Sequence, residues 1–301
     1  MKETILITGA AGFVGSNIAK RLADEGYPVM GIDDLSFGDM QNVPPNIDFS
    51  VMKFQDLIFY DHYKILIHCA TSNIIYAMTH PVETFENNAH ATIQLFKQFQ
   101  GKIIYTSTSS VYGNADIFPT PEDAELKSSN AYDISKRLAE AYLQQRGNYI
   151  TLRLSNVYGY NQIASNPYCG VIGRLVDCAL TNKLFYINGN GNDTRDYTFV
   201  EDVVEALQKA VEKNALNTEI NIGTGVETSV DDLCEFVAAL TGTEKNIYYG
   251  DKRAIDKINR RCLDIRLAKR VLDWEPKTEL RKGLKKTISW YAEQFKKEPC
   301  N

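Results

Sequence analysis

The stretch Thr8-Gly9-Ala10-Ala11-Gly12-Phe13-Val14-Gly15-Ser16 constrains what this chain can fold into more than any other. It follows a short apolar run, Thr4–Thr8, and leads into Val14–Asp24, where Val14, Ile18, Ala19 and Leu22 repeat at helical spacing. The glycines between strand and helix do separable work. Gly9 permits a tight turn, Gly12 lets backbone approach a pyrophosphate, and Gly15 lets helix and strand pack closely. Backbone N–H groups at the helix start, with Phe13 and Val14 opening it, would face the phosphates, aided by the helix dipole.

Further β-rich runs at Val29–Asp33, Ile47–Val51, Ile65–His68, Ile103–Ser107 and Ile150–Leu154 alternate with helical patterns at about Val82–Phe99 and Tyr132–Gln145. Such alternation predicts an α/β fold with a doubly wound parallel sheet. After Ser155 the texture changes. Tyr158–Gly170 reads as a loop and Asn188–Thr194 as turns, with helices near Val171–Leu180, Val203–Glu212, Val230–Leu240, Ile265–Leu272 and Leu284–Phe295 and a strand at Glu219–Ile222. This predicts a dinucleotide domain over 1–155, rejoined by elements near 199–226, and a smaller C-terminal α/β substrate lobe over 156–198 and 227–301.

Composition narrows the class. Apolar residues are 44% and charged residues 24%, as in an ordinary folded protein. Lys and Arg number 33 against 38 acids, a balance of −5, and the basic residues are scattered apart from Arg253 to Arg270. Neither nucleic acid nor a membrane is therefore expected as a partner. No apolar run approaches the ~18 residues of a membrane span, and the N-terminus lacks the apolar core of a secretion signal. The six cysteines are dispersed without a Cys-x-x-Cys pair, and no metal-site spacing occurs. Reduced thiols in a cytoplasmic protein are expected.

Two further constellations carry chemistry. The second strand ends in Gly31-Ile32-Asp33-Asp34, where a carboxylate about 20 residues beyond the glycines accepts the adenosine ribose hydroxyls. An acid there repels a 2′-phosphate, and no Arg or Lys lies between Gly31 and Asn42, so NAD is favoured over NADP. Tyr132-Asp133-Ile134-Ser135-Lys136 places Tyr132 and Lys136 on one helix face. An ammonium at ~4 Å with an effective dielectric of ~20 favours phenolate by about 4 kcal/mol, enough to make Tyr132 a usable base. Hydroxyl residues in Thr106-Ser107-Thr108-Ser109-Ser110 sit at the C-terminal end of a parallel strand, where ligands bind in such sheets.

With Val111-Tyr112-Gly113, Arg153-Leu154-Ser155-Asn156-Val157-Tyr158-Gly159, Arg195–Asp202 and Asn221-Ile222-Gly223-Thr224-Gly225, these motifs resemble the extended short-chain dehydrogenase/reductases, specifically the nucleotide-sugar epimerase and dehydratase group. The likeness covers nearly the whole chain. It implies a Rossmann-type fold and a UDP-glucose 4-epimerase-like activity. NAD would lie on Gly9, Gly12, Phe13, Val14, Gly15, Asp33, Asp34, Ala70, Tyr132 and Lys136. It further implies that Tyr132 takes the sugar hydroxyl proton, Lys136 binds the nicotinamide ribose and lowers the Tyr132 pKa, and Thr108 bridges to the reacting oxygen. Asn156 would touch the diphosphate of a nucleotide-diphosphate sugar and Arg195 the nucleotide phosphate, with a second phosphate contact from Arg253, Arg260 or Arg261. A homodimer through the helices at Val82–Phe99 and Tyr132–Gln145 is also implied.

Departures from the group sharpen the expectation. Its 4,6-dehydratases carry Asp-Glu just after the Thr and its decarboxylases a Glu, whereas this chain has Ser109 and Ser110. Lys53 stands where an acid usually contacts adenine, and Ala70-Thr71 replaces an Ala-Ala pair after His68-Cys69. His68 reads as a packing residue and Asn88 as a support of the sheet. The expected activity is a 4-epimerase, ahead of a 4-ketoreductase with the same motifs, a dehydratase or decarboxylase, and a non-catalytic dinucleotide sensor.

Overall fold

The computed structural model describes residues 2–58, 62–163, 166, 169–252 and 258–297. The chain runs β1 (Ile5–Thr8), α1 (Phe13–Asp24), β2 (Val29–Asp33), β3 (Asp48–Val51), β4 (Ile65–His68), α2 (Ile74–Thr79) and α3 (Pro81–Phe85). A π-helical turn, Glu86–Ala91, joins α3 to α4 (Thr92–Gln98). Then come β5 (Lys102–Thr108), α5 (Ala131–Arg146), β6 (Tyr149–Leu154), β7 (Asn156–Tyr158), α6 (Val171–Thr181), β8 (Phe185–Asn188), β9 (Thr194–Phe199), α7 (Val200–Glu212) and β10 (Thr218–Ile222). The described chain closes with β11 (Glu227–Ser229), α8 (Val230–Thr241), β12 (Ile247–Gly250), α9 (Arg266–Leu272) and α10 (Leu280–Lys297).

The main sheet has seven strands in the order β10-β6-β5-β4-β1-β2-β3, every pair parallel. β10 is the seventh beside the six expected in the first half. Residues along β1 alternate between two cores: Ile5 and Ile7 pack with Ile18, Leu22 and the α7 residues Val203 and Leu207, while Leu6 packs with Leu66, Phe96, Ile103 and Leu143. Helices on both faces explain why the strands read as continuous apolar runs rather than alternating ones. The strand order reverses between β1 and β4, and there the C-terminal strand ends open a crevice.

The long helix expected at Val82–Phe99 is interrupted by the π turn, where the Thr92 hydroxyl donates to Asn87 O at 3.0 Å. Inside that turn, buried Asn88 brackets Ser72: its Oδ1 accepts from Ser72 N at 2.8 Å and its Nδ2 donates to Ser72 O at 2.7 Å. It thus supports the loop after β4 rather than the sheet. In the second half, β11-β9-β7 form a three-stranded sheet and β12-β8 a two-stranded one, none of them anticipated. β9 was masked by the charged pair Arg195-Asp196, yet Asp196 is fully buried. Its carboxylate accepts from Thr224 N, Gly225 N and Leu263 N at 2.8, 3.1 and 3.2 Å, clamping two loops. Among the described residues no helix is long and apolar enough to cross a membrane.

Candidate active site

The glycine loop is fixed by sterics. Gly9 has φ +71°, and a Cβ on it would lie 2.6 Å from Ala70 N, so the β1 and β4 loops touch backbone to backbone. A Cβ on Gly15 would lie 2.0 Å from Gly9 O, whereas one on Gly12 would meet the same oxygen at 3.1 Å. The loop closes on itself through Gly12 N to Gly9 O, 3.0 Å. The first-turn N–H groups of Phe13, Val14 and Gly15 have no intrahelical acceptor, and such groups form an anion cradle.

Asp33 accepts from Ala11 N at 3.0 Å and from Leu35 N at 2.8 Å, tying the end of β2 to the glycine loop. Burial raises its carboxyl pKa, and the backbone N–H groups partly offset this. Asp34 is exposed and folds its carboxylate onto Ser36 N and Oγ at 3.0 and 2.5 Å. Both acids line a cleft of about 1230 Å³ that also takes in Gly9, Gly12, Phe13, Val14, Gly15, Ala70, Thr108, Tyr132 and Lys136. Lys53 lines the same cleft. His68 lies beneath, its ring nitrogens 2.7 Å from Thr8 Oγ1 and 3.1 Å from Thr92 Oγ1. Burial and the nearby Lys136 depress its pKa well below the usual value, so it is a neutral packing residue.

Thr108 ends β5, and its Oγ1 accepts from Ser110 N at 3.1 Å, starting the turn that follows. Asn130 caps α5 by accepting from Asp133 N, which sets the first turn that carries Tyr132. The Tyr132 phenol is pushed up to about 12 by burial and by Asp133, against a hydrogen bond with Thr108 and the charge of Arg261. Lys136, 2% exposed, donates from Nζ to Thr106 O at 2.9 Å and stands 6.0 Å from the Tyr132 ring centroid. Burial lowers its pKa to about 8, against Cys69 and Glu140. Lys136 is engaged by the strand carbonyl, and Thr108 and Arg261 partly offset the rise of the phenol.

The expected substrate residues scatter more. Asn156 stands on β7 with a buried Oδ1 that has no partner. Arg195 on β9 donates to Thr194 O and Ile258 O at 2.8 Å each. Arg260 is exposed, paired through Nη2 with Glu227 Oε1 at 2.5 Å and stacked 4.4 Å over Phe118, so its guanidinium is already engaged. Arg261 instead turns inward: its Nη2 is buried without a partner, and burial, together with Arg195, lowers its pKa to about 10. Arg253 lies outside the described residues. One group escaped the sequence reading altogether. Asp133 is fully buried, held at Oδ2 by Asn130 Nδ2 at 2.6 Å, and raised to about 6 by burial against Arg261, Ser129, Asn130 and Ser110. Its only local signal in the sequence is the N-cap Asn130 three residues earlier, which its backbone N–H donates to.

Comparison with known proteins supplies the family. The profile of the NAD dependent epimerase/dehydratase family matches residues 5–223. The chain belongs to that family. A putative UDP-glucose 4-epimerase of Methanocaldococcus jannaschii is 33% identical over 302 residues, covering 95% of this chain and 97% of that protein. The crystal structure of a UDP-glucose 4-epimerase from Thermotoga maritima with UDP-glucose matches with a TM-score of 0.91 at 31% identity, covering 97% of this chain and 99% of that one. UDP-glucuronic acid decarboxylase 1 of Danio rerio is 28% identical, over all of this chain and 75% of that protein. The chain is therefore an NAD-dependent enzyme of the extended short-chain dehydrogenase/reductase group. The cleft fits NAD on its own evidence: a glycine loop whose close backbone approach admits no side chain at Gly9 or Gly15, opening onto first-turn N–H groups of α1, and a carboxylate at the end of β2.

Proposed function

We propose that this enzyme interconverts a nucleotide-diphosphate sugar and its 4-epimer. The observation that carries the reading is the meeting of Tyr132 with Thr108 in the cleft while Ser109 and Ser110, not carboxylates, follow Thr108. Bound NAD supplies the hydride acceptor and donor. Tyr132 removes the proton of the sugar 4-hydroxyl and later returns one to the same 4-oxygen once the 4-keto sugar has turned its other face to the dinucleotide, with Thr108 holding that oxygen. Lys136 holds the nicotinamide ribose. Asn156, Arg195 and Arg261 bind the nucleotide diphosphate, Arg261 being favoured among Arg253, Arg260 and Arg261 by its inward, unpartnered Nη2.

In this reading residues 1–155, with α7 and β10, form the dinucleotide lobe, and 156–198 with 227–301 the substrate lobe. The exposed Val82, Ile134 and Leu138 of α3 and α5 support pairing with a second copy. Asp133 beside Ser110 favours a second reading, in which it replaces the missing carboxylate and drives elimination or decarboxylation. Its complete burial counts against this. NMR of the purified protein with UDP-glucose and UDP-galactose, without added reductant, tests the proposal. Interconversion of the anomeric signals is expected. A 4-keto-6-deoxy product, decarboxylation of added UDP-glucuronic acid, or turnover only of a 4-keto sugar with NADH, overturns it.

A further inference from the structure

Behind the cleft lies a charged pair that the proposed chemistry does not use. Glu140 and Arg153 are 1% and 2% exposed. Arg153 donates to Glu140 through Nη2 at 2.8 Å and Nε at 3.1 Å, and Ser107 Oγ donates to Glu140 Oε1 at 2.5 Å. From Arg153 the chain of bonds continues: Nη1 donates to Tyr112 OH at 2.8 Å and to Glu122 O at 3.0 Å, and Tyr112 OH donates to Asn221 Oδ1 at 2.8 Å. Asn221 Nδ2 donates to Thr120 O and Asp264 O at 3.0 and 3.2 Å, reaching the segment that carries Arg261.

A buried pair of this kind contributes little net stability compared with apolar residues of similar volume. What it supplies is direction. Tyr132, Lys136 and Glu140 recur every four residues on one face of α5. They meet three consecutive residues of β5: Tyr132 meets Thr108, Lys136 meets Thr106 O, and Glu140 meets Ser107. The apolar contacts of Ala139 and Leu143 allow a helix to slide or roll by a fraction of an ångström, whereas a carboxylate fixed on three sides does not.

We propose that Glu140 is a positioning residue: held by Arg153, it locks α5 to the end of β5 and so sets the distance between the Tyr132 phenol and the Thr108 hydroxyl. This rests on the catalytic roles proposed above for Tyr132 and Thr108. Glu140 itself touches neither substrate nor dinucleotide in this scheme.

The test replaces the pair by apolar residues, Glu140→Leu with Arg153→Met, in the full-length protein, and adds Ser107→Ala as a milder variant. Interconversion of UDP-glucose and UDP-galactose is followed per NAD-loaded site, with thermal midpoints alongside. The double variant is expected to keep its midpoint and its KM within about twofold and to lose about ten- to a hundredfold in kcat, the scale of a small misplacement of reacting groups. Ser107→Ala is expected to lose severalfold in kcat alone, and it decides the matter if the double variant does not fold. A purely structural pair would change the midpoint and leave kcat per loaded site untouched. Wild-type kcat in a folded double variant, or in Ser107→Ala should the double variant not fold, overturns the inference. Tyr132→Phe in the parent separates the two layers. If it abolishes turnover while the pair variants do not, only the positioning role fails; if it leaves turnover intact, the catalytic reading fails as well.

Discussion

The glycine loop and the segment Ile258–Asp264 both border the active site, but they are held by opposite means. In the loop, backbone lies against backbone: Gly15 clears Gly9 O only because it lacks a Cβ, and Gly9 abuts Ala70 in the same way. The second segment is held by polar side chains, Asp196 accepting from Leu263 N, Asn221 donating to Asp264 O, and Arg195 donating to Ile258 O. Steric necessity fixes which residue stands where. Ionic contacts fix only that some partner is met, so neighbouring arginines can divide the work, Arg260 facing outward to Glu227 and Arg261 inward.

The sharpest way to break this contrast is Gly15→Ala. With a Cβ placed 2.0 Å from Gly9 O, something must move, and neither partner is a flexible side chain. Loss of bound NAD and of activity is expected, with destabilisation of about 3 kcal/mol, checked by dinucleotide retention after gel filtration and by the urea midpoint. Gly12→Ala meets that oxygen at 3.1 Å with ordinary φ of −79°, so it should fold and change midpoint far less. Equal damage from both would refute the steric account.

Next in size is Tyr132→Phe, which removes the phenol and leaves the ring. A fall in kcat of about 10² to 10⁴, with dinucleotide still bound, is expected from loss of a proton-transfer group. Stopped-flow and steady-state rates check it.

The same contrast explains what was legible beforehand. The glycine spacing, the strand ends at Asp33 and His68 and the Tyr132/Lys136 face are local patterns, and each is governed by sterics or by helix geometry within a few residues. The β7, β8, β9, β11 and β12 strands are three to six residues long and owe their existence to distant partners, as Asp196 shows by serving two loops. Likewise the sequence offers no means of telling Arg260 from Arg261. Only the position of Glu227, Phe118 and Asp133 in space does so.

Arg261→Met and Arg260→Ala therefore sharpen the comparison. The buried guanidinium of Arg261, with its unpartnered Nη2, should matter to the nucleotide sugar: KM is expected to rise about 10- to 100-fold, the scale of a hydrogen bond to a charged group. Arg260 is exposed and spent on Glu227, so its loss should change KM by less than about threefold. Equal effects would mean that the two side chains exchange places when substrate binds.

The smallest effect concerns Asp133, an ionic residue that is completely buried. Its carboxyl is raised from 3.8 to about 6, chiefly by burial. In the folded state it therefore keeps a proton between about pH 4 and 6 that the unfolded chain has already released. Its contribution to stability is present below pH 4 and is lost as pH rises through 6. Asp133→Asn, which keeps an acceptor and a donor for Asn130, removes that loss and should be more stable than the parent at pH 7 by about 1–3 kcal/mol, the two converging below pH 4. Thermal midpoints across that range check the sign. A variant less stable at pH 7 would mean that Asp133 holds Arg261 in place more strongly than its own burial costs.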